Sequence, residues 1–132
     1  MIIEIDVNNI SILSNSFIDI NTIREELKNN PFGRLLVLKE KDEIIGYIYY
    51  SDIYERVEIN QFEINKIHRN CGKGNLLLRE LIRKVDKDIT LEVKEINTPA
   101  IKLYEKNGFK KKAIRKGYYQ GIDGILMERI RK

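Results

Sequence analysis

Apolar and polar residues alternate along this chain with two different periods. Some stretches change from apolar to polar at every residue, as Ile3 to Val7 does, which is typical of a half-buried strand. Others repeat apolar residues every three or four positions, as Leu77 to Val85 does, which indicates a helix with one buried face. The pattern predicts the order β-α-β-β-β-α-β-α-β-β, with elements near 3–7, 22–28, 34–40, 43–50, 57–64, 75–85, 89–93, 98–106, 109–114 and 125–130.

Signals at the element ends refine the first half of this prediction. Thr22 and Glu25 fit a capping box that would start the first helix, after a weakly patterned 8–20 region read as a loop or a short, poor helix. Lys41-Asp42 would close a hairpin, and Gly46 suggests a bulge or a close backbone approach. Residues 51–56 are predicted to be a polar loop.

The second half carries similar signals. Asn97 or Thr98 is placed to cap a helix with Pro99 in its first turn, and Asn107-Gly108 would end it. Asp123-Gly124 is expected to form the turn between the last two strands.

The predicted order of elements indicates an α/β (α+β) sandwich with a mixed, mostly antiparallel sheet flanked by helices. The 75–85 helix would connect two parallel strands in the middle of the sheet. A ligand would bind where those strands, the fourth and fifth, splay apart. No linker or repeat divides the chain, so residues 1–132 are expected to form a single domain.

Composition narrows the possible classes of protein. Hydrophobic residues make up 42% and charged residues 33% of the 132 residues, which is typical of a globular domain. No apolar run approaches the length of a membrane span, and no signal peptide is visible at the N-terminus, so no membrane partner is expected. Cys71 is the only cysteine, which excludes an internal disulfide and favours a cytoplasmic protein.

The charged residues do not predict a nucleic-acid-binding surface or a metal site. The net charge is +4, and the densest basic segment is Lys110–Lys112 with Arg115 and Lys116. It could attract an acidic ligand or RNA, but no aromatic residues that stack on bases are interleaved with it. Nucleic acid is therefore not expected as the main partner, and no cluster of metal-ligating residues predicts a metal.

The stretch from Phe62 to Asn75 carries the strongest chemical signal. A strand runs into a glycine-bearing turn that leads directly into the N-terminus of a helix, where free N–H groups and the helix dipole favour phosphate. Gly72 and Gly74 would let a ligand approach the backbone, and Arg69 and Lys73 add positive charge. The P-loop and dinucleotide-binding patterns are both missing, and a plain strand-to-helix turn is the alternative.

Two segments together resemble a known family. Arg69 to Gly74 resembles the R/Q-x-x-G-x-G/A pyrophosphate loop of the GNAT acyl-CoA N-acyltransferases. The run Leu91-Glu92-Val93-x-x-x-Asn97-x-x-Ala100-x-x-Leu103-Tyr104-x-x-x-Gly108-Phe109 is similar to the second signature of that superfamily, closest to the ribosomal-protein-alanine N-acetyltransferase (RimI-type) branch. Ile114-Arg115-x-x-Tyr118-Tyr119 and Asp123 to Met127 resemble that branch again.

The resemblance implies acetyl-CoA as co-substrate and a role for each matching residue. The strand edge formed by Phe62, Glu63 and Ile64 would pair with the pantetheine arm, and Asn97 would hydrogen-bond the same arm. A backbone N–H near Ile64 would donate to the oxyanion. Glu92 would be the general base, and Tyr104 would contact the cofactor as the general acid. The pyrophosphate would be held by the backbone of Asn70, Cys71, Gly72, Lys73, Gly74 and Asn75.

Each of these roles has a structural alternative. Glu92 could be an exposed strand residue paired with Lys94 or another neighbour, and Tyr104 could simply pack in the core. Tyr118 and Tyr119 could cover the acceptor or stack on each other. His68 and Cys71 are not expected to take part in catalysis.

The sequence therefore predicts an N-acetyltransferase that uses acetyl-CoA, acting on the N-terminal α-amine of a protein such as a ribosomal protein. The alternatives are a lysine side chain, a polyamine or another small amine as acceptor, a CoA-binding module without catalysis, and a basic RNA-binding domain. The protein would be a monomer or a homodimer.

Overall fold

The computed structural model describes residues 1–132 and confirms the predicted order of helices and strands. Two short 3-10 helices, Ile10–Leu13 and Lys66–His68, add to it. The strands and helices are β1 (Ile2–Ile5), α1 (Ile20–Asn29), β2 (Gly33–Glu40), β3 (Glu43–Ile53), β4 (Arg56–Ile64), α2 (Lys73–Val85), β5 (Asp88–Lys94), α3 (Thr98–Lys106), β6 (Lys110–Tyr119) and β7 (Ile122–Arg129).

All seven strands belong to one open sheet in the order β1-β2-β3-β4-β5-β7-β6. Every neighbouring pair is antiparallel except β4 and β5, which are connected by α2. These two strands pair only along Arg56–Ile59 and Asp88–Leu91, and the second half of β4 has no partner on that side. The mixed sheet that splays between its fourth and fifth strands is therefore confirmed.

Two apolar cores cover the two faces of the sheet. On one face α2 buries Leu77, Leu78 and Leu81 against the central strands, together with Tyr104 of α3. On the other face α1 and the first 3-10 helix cover β1, β2 and β3. Leu13 is fully buried there, so the weakly patterned 8–20 region contributes to the core despite its many polar residues.

The start of α1 differs from the prediction. The helix begins at Ile20, and its N-cap is Asp19, whose Oδ1 accepts hydrogen bonds from the backbone N–H groups of Asn21 (3.2 Å) and Thr22 (3.3 Å). The Thr22 hydroxyl donates to the same carboxylate at 2.9 Å, so it supports the cap and is not the cap itself. An aspartate accepts more strongly than a threonine hydroxyl, and the helix starts where that acceptor lies.

The predicted loop at 51–56 is also wrong, because β3 continues to Ile53 and β4 begins at Arg56. Ser51 is buried in the sheet, where its hydroxyl donates to Asn60 at 2.7 Å and accepts from Asn30 at 2.9 Å. With both bonds satisfied, a polar residue can lie inside a strand.

Asp123-Gly124 is not the final turn, because both residues lie within β7. The turn is Gln120-Gly121, whose φ values of 51° and 92° are those of a tight hairpin. Asp123 instead accepts a hydrogen bond from the backbone of Gly117 at 2.8 Å.

Gly46 has both features that its position suggested. The register changes from Leu38 opposite Gly46 to Lys39 opposite Ile44, which leaves Ile45 as the extra residue of a bulge. A Cβ atom on Gly46 would lie 2.9 Å from the Glu63 carbonyl oxygen, so β3 and β4 approach closely there. None of the helices is both long enough and apolar enough to cross a membrane.

Candidate active site

A cleft of about 960 Å³ opens where β4 separates from β5. Its walls are the second half of β4, the turn before α2, the first turn of α2 and the outer side of α3. Of the predicted site residues it brings together Phe62, Glu63, Ile64, Asn70, Gly72, Lys73, Gly74, Asn75, Asn97 and Tyr104. Cys71 and Glu92 do not line it.

The N-terminus of α2 points free backbone donors into this cleft. Gly72 caps the helix with φ 81°, a left-handed conformation that favours glycine, and no side chain caps it. The first bond within the helix runs from Leu76 N–H to the Gly72 carbonyl at 3.1 Å. The N–H groups of Lys73, Gly74 and Asn75 therefore have no partner in the helix, and with the helix dipole they suit an anion.

The basic side chains of the turn carry less free charge than the sequence suggests. The Lys73 ammonium donates to Glu40 at 2.6 Å, and this hydrogen bond raises the pKa of Lys73 and lowers that of Glu40. Arg69 lies 3.6 Å from Glu63 and donates to the Ile64 carbonyl at 2.9 Å. Each positive group is held by a nearby carboxylate, so the backbone amides are the main free donors of the turn.

Cys71 and His68 are held in structural contacts beside the turn. The exposed Cys71 thiol donates to the His68 carbonyl at 2.7 Å. The His68 ring lies 2.9 Å from the Glu43 carboxylate. Cys71 can contribute to the site through its backbone only.

The unpaired half of β4 offers a strand edge to an extended ligand. Asn65 N–H bonds the Ile45 carbonyl at 2.7 Å, and antiparallel alternation then turns the backbone groups of Phe62 and Ile64 away from β3, toward the splayed side. The Ile64 carbonyl accepts a hydrogen bond from Arg69, whereas the Ile64 N–H can donate to a ligand. Across the cleft, Asn97 caps α3 by accepting from Ala100 N–H at 3.3 Å, so its side-chain NH₂ group remains available.

Tyr104 lies on α3 with only 8% of its surface exposed. Its ring packs between Phe62 and Phe109, with centroids 6.3 Å and 5.6 Å away. Its hydroxyl, at the cleft, makes no hydrogen bond to the protein. Burial raises the pKa of Tyr104 to about 12, so the phenol stays protonated at neutral pH and can donate a proton.

Glu92 lies on β5, outside the cleft, and its side chain reaches across β7 toward β6. Its Oε2 is 3.2 Å from Arg115 Nε, and its Oε1 is buried with no hydrogen-bond partner. The absence of a side chain at Gly124 leaves room for this oxygen, because a Cβ atom there would lie 2.8 Å from it. Glu92 is therefore a largely buried carboxylate paired with Arg115, and not an exposed residue paired with Lys94.

Aromatic and cationic groups surround Glu92. The Arg115 guanidinium lies 4.8 Å from the centre of the Tyr118 ring, and the Tyr118 and Tyr119 rings meet edge to face at 4.9 Å. Lys94 lies 5.4 Å from the Tyr119 ring. Burial, with a smaller effect of the Glu92 carboxylate, raises the pKa of Tyr119. The two tyrosine rings are in contact but perpendicular rather than stacked, and Tyr118 remains 55% exposed.

The basic segment at 110–116 is mostly neutralised. Lys112 pairs with Glu128 at 3.0 Å, Lys116 approaches Asp123 at 4.0 Å, and Arg115 is held by Glu92. These pairs reduce the charge available to RNA, and Lys110 and Lys111 are the two basic residues of the segment without a carboxylate partner. No group of three or more His, Cys, Asp or Glu side chains is arranged to hold a metal ion.

Several contacts of the site were not predicted. Lys102 and Lys106 of α3 line the cleft. Asn107 donates to Asn75 at 2.9 Å and so joins the end of α3 to the start of α2. The i,i+4 spacing of the two lysines on one helix face was visible in the sequence, whereas the pairing of Asn75 with Asn107 depends on how the helices pack.

Comparisons with known proteins agree with this geometry. A family model described as the Acetyltransferase (GNAT) family matches residues 8–109. The [ribosomal protein bS18]-alanine N-acetyltransferase of Haemophilus influenzae is 38% identical over 104 residues, covering 74% of this chain and 70% of that protein.

Solved structures share the fold along the whole chain. The ribosomal-protein-S18-alanine N-acetyltransferase of Escherichia coli has a TM-score of 0.85 at 20% identity, covering 100% of this chain and 94% of that one. A GNAT family acetyltransferase from Elizabethkingia anophelis with acetyl-CoA bound has a TM-score of 0.79 at 22% identity, covering 98% of this chain and 97% of that one.

Proposed function

Since the chain belongs to the acetyltransferase (GNAT) family and is an acetyl-CoA-dependent N-acetyltransferase, we propose that its acceptor is the N-terminal α-amine of a protein. The proposed class of acceptor is a protein beginning with alanine, and the proposal is supported by the name of the Haemophilus influenzae relative, [ribosomal protein bS18]-alanine N-acetyltransferase. The proposal covers residues 1–132 as one catalytic domain.

The residues that would hold acetyl-CoA line one continuous cleft. We propose that the pyrophosphate lies on the N–H groups of residues 70–75, where a helix N-terminus favours negative charge. The pantetheine amides would pair with Phe62 and Ile64 as an added strand, and the free NH₂ group of Asn97 would donate to the same arm. Bound there, acetyl-CoA supplies an acetyl thioester that an amine can attack.

Three groups of the chain would then carry out the transfer. Glu92 takes a proton from the acceptor ammonium, which frees the nitrogen lone pair to form the new C–N bond. The Ile64 N–H donates to the acyl oxygen as negative charge develops on it. Tyr104 gives its phenolic proton to the sulfur as the C–S bond breaks, and the new amide nitrogen loses its second proton to the Tyr104 phenolate, directly or through water. Glu92 releases its proton to solvent, so the products are an N-acetylated amine, the free thiol of CoA and one proton.

The choice of acceptor rests on the groups that surround Glu92. A single carboxylate with one unpartnered oxygen can take one proton, and the groups near it, Arg115 and Lys94, are cations. These cations would repel a polyamine, which is itself positively charged at several nitrogens. An α-amine has a pKa near 8 and a lysine side chain near 10.4, so neutralising a lysine costs about 3 kcal/mol more. A single base suits the α-amine better.

The test is a transfer assay with a free peptide whose sequence begins with alanine. We expect the peptide to gain one acetyl group on its α-amine, located by fragmentation in the mass spectrometer. Two matched acceptors provide the control: the same peptide with a blocked N-terminus and an internal lysine, and spermidine. Acetylation of either control acceptor in preference to the α-amine would overturn the proposed acceptor while leaving the cofactor site intact.

A further inference from the structure

The positive groups that line the cleft differ in whether a carboxylate holds them. Arg69 and Lys73 each lie next to a glutamate, at 3.6 Å and 2.6 Å. Lys102 and Lys106 line the same cleft and pair with no carboxylate. They are the two cleft ammonium groups whose charge is available to a ligand.

The two free lysines occupy one face of α3, one turn apart. Residues at i and i+4 on a helix are neighbours, and like charges at this spacing repel each other. A dianion placed between them would remove that repulsion. The lysines also line the same cleft as Gly72, Gly74 and Asn75 at the start of α2. They therefore share this cleft with the free backbone N–H groups.

The phosphates of CoA differ in charge in a way that matches these two sites. Each phosphate of the pyrophosphate is a diester-like group with one negative charge, and the backbone of residues 72–75 suits it. The 3′-phosphate of the ribose is a monoester, and its second pKa near 6 makes it close to a dianion at neutral pH. Two unpaired ammonium groups match this dianion.

We propose that Lys102 and Lys106 form the subsite for the 3′-phosphate of CoA and make the enzyme prefer CoA over 3′-dephospho-CoA. The inference rests on the pyrophosphate position proposed above. Because both lysines are exposed, each contact should be of modest strength and sensitive to salt.

The experiment is a calorimetric titration of the purified protein with CoA and, separately, with 3′-dephospho-CoA. The wild type should bind CoA about tenfold more tightly, as two exposed ion pairs allow. The double variant Lys102→Ala/Lys106→Ala should lose this preference: its affinity for CoA falls about tenfold and its affinity for 3′-dephospho-CoA stays the same. Raising the salt concentration should reduce the preference of the wild type only.

The matched control removes the same charge elsewhere. Lys110→Ala/Lys111→Ala on β6 changes two exposed lysines that do not line the cleft, and it should keep the wild-type preference. Thermal unfolding of both double variants checks that each one is folded.

Two results would overturn the inference. If the Lys102/Lys106 variant loses affinity for both ligands equally, the lysines act on the pyrophosphate or only through general attraction. If it loses affinity for neither, they bind no phosphate. A wild type that binds neither ligand would contradict the proposed cofactor site itself, and this result is distinct from the other two.

Discussion

At the scale of single residues, Glu92 is the side chain whose substitution should have the largest effect on rate. Glu92→Gln keeps the shape of the side chain and removes the base, so we expect kcat to fall by about 10²–10⁴-fold. Glu92 does not line the cofactor cleft, so the affinity for CoA should be unchanged. Steady-state kinetics and calorimetry measure the two effects, with the exposed Glu95→Gln as the matched control. An unchanged kcat would exclude Glu92 as the base.

Gly124 controls where the Glu92 carboxylate lies. A methyl group on Gly124 would approach Glu92 Oε1 to 2.8 Å and the Tyr119 ring to 3.0 Å, and the glutamate is the easier of the two to displace. Gly124→Ala should therefore lower kcat about tenfold or more, as a misplaced base does, with little loss of stability. In the Glu92→Gln background the same substitution should have almost no further effect on kcat. Equal effects in both backgrounds would mean that Gly124 acts elsewhere.

Tyr104 should give a rate effect without a stability effect. Its hydroxyl makes no hydrogen bond to the protein, so Tyr104→Phe removes no partner, and the urea midpoint should hardly move. The rate should fall about 10²-fold if the phenol protonates the leaving thiolate. Burial disfavours the phenolate and raises the pKa to about 12, so ionisation of Tyr104 should not limit kcat below about pH 10. A kcat equal to that of the wild type would leave Tyr104 a packing residue.

The roles of Glu92 and Tyr104 follow from the resemblance of their motif to the GNAT family, and they remain predictions. Spacing could not show that Arg115 holds one oxygen of Glu92, because that pair joins strands far apart in sequence. It also could not show that Glu40 neutralises Lys73, 33 residues away. Motifs define which residues are present, whereas side-chain pairing across the sheet decides how much charge each one offers.

At the scale of elements, Asp19 determines the start of α1. Hydrogen bonds from Thr22, first from its hydroxyl and then from its N–H, lower the pKa of Asp19 in the folded state. The cap therefore stabilises the fold above the unfolded-state pKa, near pH 4, and is lost as the pH falls through the lower folded-state value. Urea unfolding should find Asp19→Ala less stable than the wild type at neutral pH, with the difference disappearing in acid.

Asp19→Asn is the matched control for this cap. Asparagine is an equally good N-cap and does not titrate, so its advantage over alanine should persist in acid. If the Asp19→Ala difference from the wild type does not change with pH, the carboxylate contributes nothing through its charge.

The elements that were predicted well have strong local periodicity, and those predicted wrongly depend on distant partners. The pattern of α2 alone identifies it as a helix with a buried face. Ser51 looked like a loop residue because its hydrogen bonds to Asn30 and Asn60 cannot be inferred locally. Asp123-Gly124 looked like a turn because the favoured turn pair occurs there, whereas Gln120 and Gly121 supply the positive φ values of this hairpin turn.

At the scale of the whole molecule, acetyl-CoA should stabilise the fold by mass action. A ligand at 100 times its Kd adds about 2.7 kcal/mol to the free energy of unfolding. For a domain of 132 residues this corresponds to a rise in Tm of about 10 °C, which differential scanning fluorimetry can measure. The Lys102→Ala/Lys106→Ala variant should show a smaller rise at the same concentration. No rise at any concentration would mean that the folded protein does not bind the ligand.

The short contact between β4 and β5 also has a mechanical meaning. Within the sheet, four residue pairs join the first four strands to the last three, and β4 and β5 separate at one end of this contact. A force that separates the two halves of the sheet would break the residue pairs between β4 and β5 one after another, beginning at that open end. A molecule bound between β4 and β5 would contact both halves of the sheet. The enzyme without ligand should therefore unfold at a lower force than the enzyme with ligand bound.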